Sequence, residues 1–250
     1  MKDSYTFFAR YYDEIMAVVP YNEWIDYLMD ILDLLEYQPE TILDLGCGTG
    51  NIAIPLSRNG YNVVGIDGSK EMVDLADRKA DYEELSVNFQ VGDFRSFELE
   101  QKVDLIISLY DSLNYLLTEG DLYLAFKQAY RALKEDGYFI FDMNTISRLL
   151  SIEEGNKLVE RDEFYCFWRD EIIDEGPYWK VYLTFFINQS DGSMYREDEV
   201  HTERAYPIHR VKELLEQAGF QIEAIYDAYS FESGKEESDR IYFIARKIKS

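Results

Sequence analysis

The chain has 250 residues, of which 47% are apolar, and carries a formal charge of −24. That apolar content supplies a full core and excludes a disordered chain, and the length suits one α/β domain with an insertion. A field this negative repels phosphate backbones, so bare DNA or RNA is an unfavourable partner, whereas a neutral or cationic small molecule is acceptable. Cys47 and Cys166 are the two cysteines, too few for a disulfide scaffold, and His201 and His209 are the two histidines, so no metal cluster is expected. No apolar run reaches membrane-spanning length and no basic, apolar leader opens the chain, which predicts a cytoplasmic protein that does not contact membranes.

Residues 4–20 place Tyr5, Phe7, Phe8, Tyr11, Tyr12, Asp13 and Met16 at helical spacing. Trp24, Tyr27, Leu28, Ile31, Leu32 and Leu35 predict a helix from Tyr21 to Glu36, with Asn22 as its cap and Pro39 beyond its end. The run Ile42, Leu43, Leu45 reads as a buried strand, yet it contains Asp44, and a buried strand rarely carries a carboxylate without a partner. Gly46, Gly48 and Gly50 follow at alternate positions, before a helix expected from Asn51 to Asn59. Such glycines let the backbone turn and approach a ligand, at the carboxyl end of a parallel sheet.

A second strand, Tyr61 to Ile66, ends at Asp67, where a carboxylate suits the vicinal hydroxyls of a ribose. Ser69 caps the next helix, which runs to about Tyr82. A third strand, Val87 to Val91, is followed by Gly92-Asp93-Phe94, an acid and an aromatic suited to a purine. The fourth strand, Val103 to Leu109, opens into Tyr110-Asp111-Ser112-Leu113-Asn114-Tyr115 at the same sheet edge as the glycine loop. Thr118 and Asp121 resemble a capping box for a helix that buries Leu122, Phe126 and Leu133 and stops before Gly137, and Tyr138 to Met143 form strand five.

Between Thr145 and Tyr206 the helix–strand alternation lapses. Trp179, Val181, Leu183, Phe185 and Ile187 recur with period two, Ser190-Asp191-Gly192-Ser193 signals a hairpin, and Tyr195, Glu197, Glu199, His201 and Glu203 share one face of the following run. With Phe164 to Arg169 these predict a small antiparallel sheet inserted after strand five. A helix from Pro207 to Gly219 and two strands, Gln221 to Tyr229 and Arg240 to Arg246, close the chain. The boundaries expected are 1–148 and 205–250 for the core and 149–204 for a β-rich insertion that serves as substrate wall, lid or dimerisation surface.

The ordered set of Asp44 with its glycine loop, Asp67 after strand two and Asp93-Phe94 after strand three resembles the class I S-adenosylmethionine-dependent methyltransferases. A nicotinamide fingerprint, Gly-x-Gly-x-x-Gly, places its third glycine one residue later, and Asp44 would repel a pyrophosphate while attracting an ammonium group. The resemblance implies a three-layer Rossmann-like α/β fold with sheet order 3-2-1-4-5-7-6. It implies S-adenosylmethionine as cofactor, with Asp44 at the methionine amino group and Gly46, Cys47, Gly48, Thr49 and Gly50 making room for it. Asp67 and Gly68 would hold the ribose, Asp93, Phe94 and Met72 the adenine, and Leu109 and Tyr110 would complete the pocket. Phe-Ala-x-Tyr-Tyr-Asp resembles the lid segment of small-molecule methyltransferases, which adds Tyr11 as a cofactor contact and Tyr12 as a hydroxyl near the methyl donor.

The loop at Asp111 lacks the Asp/Asn-Pro-Pro-aromatic sequence of amino-methylating DNA enzymes and resembles that of bacterial amino-sugar N-methyltransferases. An amine nitrogen is therefore the expected acceptor, with Asp111, Tyr12 and His201 as candidates to orient it or take its proton. No His–acid pair stands out in the loops nearest the cofactor, which disfavours a hydroxyl acceptor. An O-methyltransferase, or a cofactor-binding protein without turnover that docks a partner through the insertion, is the alternative. The chain is expected to act as a monomer or a homodimer.

Overall fold

The computed structural model describes residues 5–173 and 177–249. A 3-10 turn at Phe8–Tyr11 and a short α1 (Tyr12–Ile15) precede α2 (Tyr21–Leu34). Strands and helices then alternate: β1 (Thr41–Leu45), α3 (Ala53–Arg58), β2 (Asn62–Asp67), α4 (Lys70–Tyr82), β3 (Asn88–Val91), β4 (Val103–Ser108), α5 (Glu119–Ala132) and β5 (Leu133–Asn144). A short α6 (Ile146–Leu150) leads into β6 (Gly155–Glu160), β7 (Phe164–Ile173), β8 (Tyr178–Asn188) and β9 (Met194–Arg204). The chain returns to the core through α7 (Ile208–Ala218), β10 (Gln221–Asp227) and β11 (Arg240–Arg246).

The central seven-stranded sheet has the order β3-β2-β1-β4-β5-β11-β10. Strand β11 runs antiparallel to both β5 and β10, while the remaining neighbours pair in parallel. This is the expected 3-2-1-4-5-7-6 order once the inserted strands are skipped. Alternate strand residues feed opposite layers. Ile42, Ile107 and Ile140 pack under α2, α3 and α4, whereas Leu43, Ile106 and Phe139 pack under α5 and α7. The second sheet is antiparallel, β6-β7-β8-β9. Its Phe164, Val181, Leu183 and Phe185 join Phe8, Tyr11, Tyr12, Ile15 and Met72 in a third core, so the N-terminal segment is packed between the two sheets.

Three local expectations need correction. Asn22 is the second residue of α2 and not its cap; Pro20 takes the cap position, where no side chain bonds the helix. Helix α3 begins at Ala53, after a turn through Asn51. Helix α5 stops before Gly137 as expected, but Leu133 is not part of it: the helix ends at Ala132 and β5 begins at Leu133, ahead of the expected Tyr138. Gly137 lies inside that strand because a Cβ there would sit 2.7 Å from the Asp104 carbonyl oxygen, and only glycine permits the approach. The inserted sheet also has one strand more than the pattern foretold: β6 is almost wholly exposed, so its residues carry no apolar alternation to read.

Candidate functional site

The turn after β1 is built by its own backbone. Gly46 and Cys47 N–H donate to the Ile66 carbonyl at 2.7 and 3.1 Å. Gly48 N–H donates to Asp67 Oδ2 at 2.9 Å, and Ser69 N–H to Asp67 Oδ1 at 2.8 Å. Asp67 thus fastens the glycine turn to the start of α4, where Ser69 Oγ caps the Met72 amide at 3.2 Å. Gly46 has φ +88° and an added Cβ would lie 2.7 Å from Ser112, so the turn and the loop after β4 come together only over a glycine.

A cavity of about 530 Å³ opens over this turn. Asp44, Gly46, Cys47, Gly48 and Thr49 line its floor, Asp67, Gly68, Met72, Asp93 and Phe94 one side, and Leu109, Tyr110 and Tyr12 the other. Two of the predicted cofactor residues are elsewhere. Gly50 packs behind the turn, where its Cβ position meets Ile54 and Phe89. Tyr11 is buried against the inserted sheet, its ring centroid 4.3 Å from that of Phe164. Its stripe of aromatics turned toward the new sheet, leaving Tyr12 to face the cavity.

Asp44 is 2% exposed, and its Oδ2 has no hydrogen-bond partner. Burial first, then the Asp67 charge, pushes its carboxyl up to about 7, against the opposing Ala53 amide. A buried carboxylate oxygen left without a partner costs free energy until a donor reaches it. Asp67 is also raised by burial, although three backbone amides oppose the shift. Asp93 is held below the usual carboxylate range chiefly by Arg95, which bridges it to Asp121. This donor set fits S-adenosylmethionine: an acid for an ammonium, an acid for a diol, and Phe94 and Met72 for a purine.

A second, inner cavity of about 150 Å³ lies between the core and the inserted sheet. Tyr5, Tyr12, Tyr110 and Tyr115 line both cavities and form the partition. The far wall holds Trp168, Trp179, His201 and Glu203. Burial pushes the Tyr5, Tyr12 and Tyr115 hydroxyls well above their ordinary range, so they stay protonated donors. Tyr115 OH is 2.6 Å from Tyr5 OH and 3.2 Å from His201 Nδ1, and His201 Nε2 is 2.9 Å from Glu199 Oε1. Glu199 also accepts from the Tyr5, Phe7 and Phe8 amides. Burial alone would raise its carboxyl, but these bonds hold it low.

Asp111 borders the inner cavity, as does His201. Asp111 and Tyr110 both have positive φ, 52° and 65°, and their amides donate to Asp142, Tyr110 at 2.6 Å and Asp111 at 3.1 Å. Arg240 pairs with Asp142 and, at 2.6 Å, with Asp111. The charge of Asp111 is therefore already partnered. Asp142 and Arg240 were not singled out in the sequence, although an acid within the apolar run Phe139 to Met143 is the same signal that marked Asp44. Asp13 was named only as part of the N-terminal aromatic segment, with no role: it accepts from Thr49, Asn51 and Lys79 and ties α1 to the glycine turn. Among the described residues no group of three or more His, Cys, Asp or Glu side chains could hold a metal ion.

Comparisons with known proteins agree with this geometry. Residues 42–137 match a family described as a methyltransferase domain. A protein of Geobacillus sp. (strain WCH70), whose name assigns it to the methyltransferases, is 32% identical over 246 residues, covering 98% of this chain and 100% of its own. The glycine/sarcosine N-methyltransferase of Parasynechococcus marenigrum is 30% identical over 196 residues, 75% of this chain and 65% of that enzyme. The solved structure of an S-adenosylmethionine-dependent methyltransferase from Clostridium acetobutylicum superposes with a TM-score of 0.84 at 30% identity, covering 98% of this chain and 99% of that one. The chain belongs to the S-adenosylmethionine-dependent methyltransferases.

Proposed function

We propose that this enzyme methylates the nitrogen of a small amine held in the inner cavity. The observation that carries the reading is the tyrosine partition: Tyr5, Tyr12, Tyr110 and Tyr115 border a cofactor-sized space on one side and, on the other, a small space whose charged lining is Asp111, Glu203, Arg148 and Arg240. The similarity to a glycine/sarcosine N-methyltransferase supports a nitrogen acceptor. In this reading Asp44 receives the methionine ammonium, Asp67 the ribose hydroxyls, and Met72, Asp93 and Phe94 the adenine. The inserted strands, residues 149–204, serve as the far wall of the acceptor space and set substrate choice.

The cofactor supplies an activated sulfonium methyl when bound, so the chain contributes position, dryness and proton handling. The acceptor nitrogen would take the methyl of a sulfonium held by Asp44, Asp67, Met72, Asp93 and Phe94, the new N–CH3 bond replacing the S–CH3 bond, whose electron pair would stay on sulfur. The tyrosine hydroxyls, kept protonated by burial, orient the nitrogen by hydrogen bonds. The buried partition keeps water from competing.

Incubating the chain with S-adenosylmethionine and a panel of amines, amino sugars and hydroxylated metabolites tests the reading by mass spectrometry. N-methylated product is expected. O-methylated product with no activity toward any amine would overturn it. That second reading has one observation in its favour: the buried Glu199–His201 pair, 2.9 Å apart, joined to Tyr115, is a His–acid arrangement of the kind an alcohol would need. It comes from β9 and not from the loops beside the cofactor.

A further inference from the structure

The carboxylates around the inner cavity can be accounted for one at a time. Asp111 and Asp142 share Arg240, and Asp142 accepts the Tyr110 and Asp111 amides besides. Glu199 accepts three backbone amides and stands beside His201. Asp170, 3% exposed, accepts both indole N–H groups, Trp168 at 2.8 Å and Trp179 at 3.0 Å, with Lys157 at 3.3 Å from its other oxygen. Glu203 is the exception. It is 5% exposed, accepts a long 3.3 Å hydrogen bond from Asn144 Nδ2, lies beside the Asp111 carboxyl, feels the Arg240 charge that Asp111 and Asp142 share, and makes no ion pair of its own among the described residues. Arg148 also borders this cavity but is exposed at its rim.

A buried carboxylate that only feels a cation already paired with two other carboxylates is costly unless a further cation completes it. The walls around Glu203 suit one. Trp168 and Trp179 are fixed in place through Asp170, and aromatic surroundings favour an alkylammonium through cation–π attraction and apolar contact with its methyl or methylene groups. The volume of about 150 Å³ is below the usual range for drug-sized ligands, which limits the guest to a small molecule.

Building on the proposed N-methylation, we infer that Glu203 is the acceptor-recognition residue and that the acceptor enters as a small aliphatic ammonium ion. Glu203 takes one proton from that ammonium, leaving a neutral amine with its lone pair free. The amine gains the methyl group and becomes the methylated ammonium product, and the Glu203 proton leaves to solvent when the site opens. Burial, and then the neighbouring Asp111 charge, push the Glu203 carboxyl well above its ordinary value, which matches it to this exchange better than an exposed glutamate. The Asp111 carboxylate is committed to its ion pair with Arg240 and is not offered to a guest.

The test uses the full chain saturated with S-adenosylhomocysteine in an amine-free buffer. Propylammonium and its neutral near-isostere 1-propanol are titrated, with calorimetry as the readout. Propylammonium should bind the wild type at least tenfold more tightly than 1-propanol. Glu203→Gln should weaken propylammonium at least tenfold while leaving 1-propanol and S-adenosylhomocysteine binding unchanged. Equal binding of the two probes to the wild type overturns the inference even if the variant does not fold. Undiminished propylammonium binding by a folded Glu203→Gln protein overturns it as well. Absence of amine methylation with the ammonium preference intact would reject the reaction, whereas amine methylation without that preference would reject Glu203 alone.

Discussion

Cofactor affinity should follow the ionisation of Asp44. Its carboxyl is raised from 3.8 to about 7 by burial and the Asp67 charge. At 1.36 kcal/mol per unit, the shift stores about 4 kcal/mol against the charged form. A ligand ammonium that requires the carboxylate finds roughly 0.01 of it ionised at pH 5 and about 0.5 at pH 7, so affinity should rise roughly fiftyfold across that range. Calorimetry at pH 6, in buffers of different ionisation heat, should detect release of about 0.9 proton on binding, because most free Asp44 is still protonated there. The ligand-free fold has the opposite dependence. The raised carboxyl makes the native state hold a proton that the unfolded chain gives up, so this contribution to stability is complete below pH 3.8 and is lost as pH rises toward 7. Asp44→Asn should flatten both profiles and bind cofactor weakly throughout. Wild-type affinity that stays level from pH 5 to 7, or an Asn variant that keeps the wild-type slope, would refute the reasoning.

Two further outcomes are expected. Asp67→Ala removes the carboxylate that anchors the Gly48 and Ser69 amides and faces the cavity, so cofactor binding should weaken by about 1–3 kcal/mol; unchanged affinity by calorimetry would take Asp67 out of the site. Arg240→Met strands Asp111 and Asp142, and urea denaturation should record a loss of about 3–5 kcal/mol; a loss below about 1 kcal/mol would mean that the pairing adds nothing net to the fold.

The larger cavity was legible because its residues break local rules in ways a sequence displays. Asp44 interrupts an apolar run, the alternate glycines follow it, and Asp67 ends a strand. The inner cavity was only partly legible. Period two put Glu199, His201 and Glu203 on one face of β9, but such a pattern does not say which face is covered, and a polar face normally points to water. It is buried here because the segment from Tyr5 to Tyr12 lies across it, a contact between residues nearly two hundred positions apart. The same docking explains Tyr11: its helical spacing marked an apolar surface correctly but gave no direction for it. Arg240 was invisible for a related reason. Its partners, Asp111 and Asp142, sit on other strands' ends, and no local spacing joins them.

The long-range clasp between the N-terminal segment and Glu199 also bears on how the protein is made. Phe8 leaves the ribosome 191 residues before the carboxylate that will accept its amide. At a synthesis rate of about 5–20 residues per second, that interval is roughly 10–40 s. Throughout it Tyr5, Phe7, Phe8, Tyr11 and Tyr12 have neither Glu199 nor the inserted aromatic wall to pack against, since Phe164 and Phe185 also arrive late. The nascent chain therefore carries a short aromatic stretch with nowhere to bury itself, the kind of surface that chaperones bind and that aggregates when they are scarce. Docking of this segment over the inner cavity waits for β9 to be made, so residues placed early in the sequence are among the last to find their place.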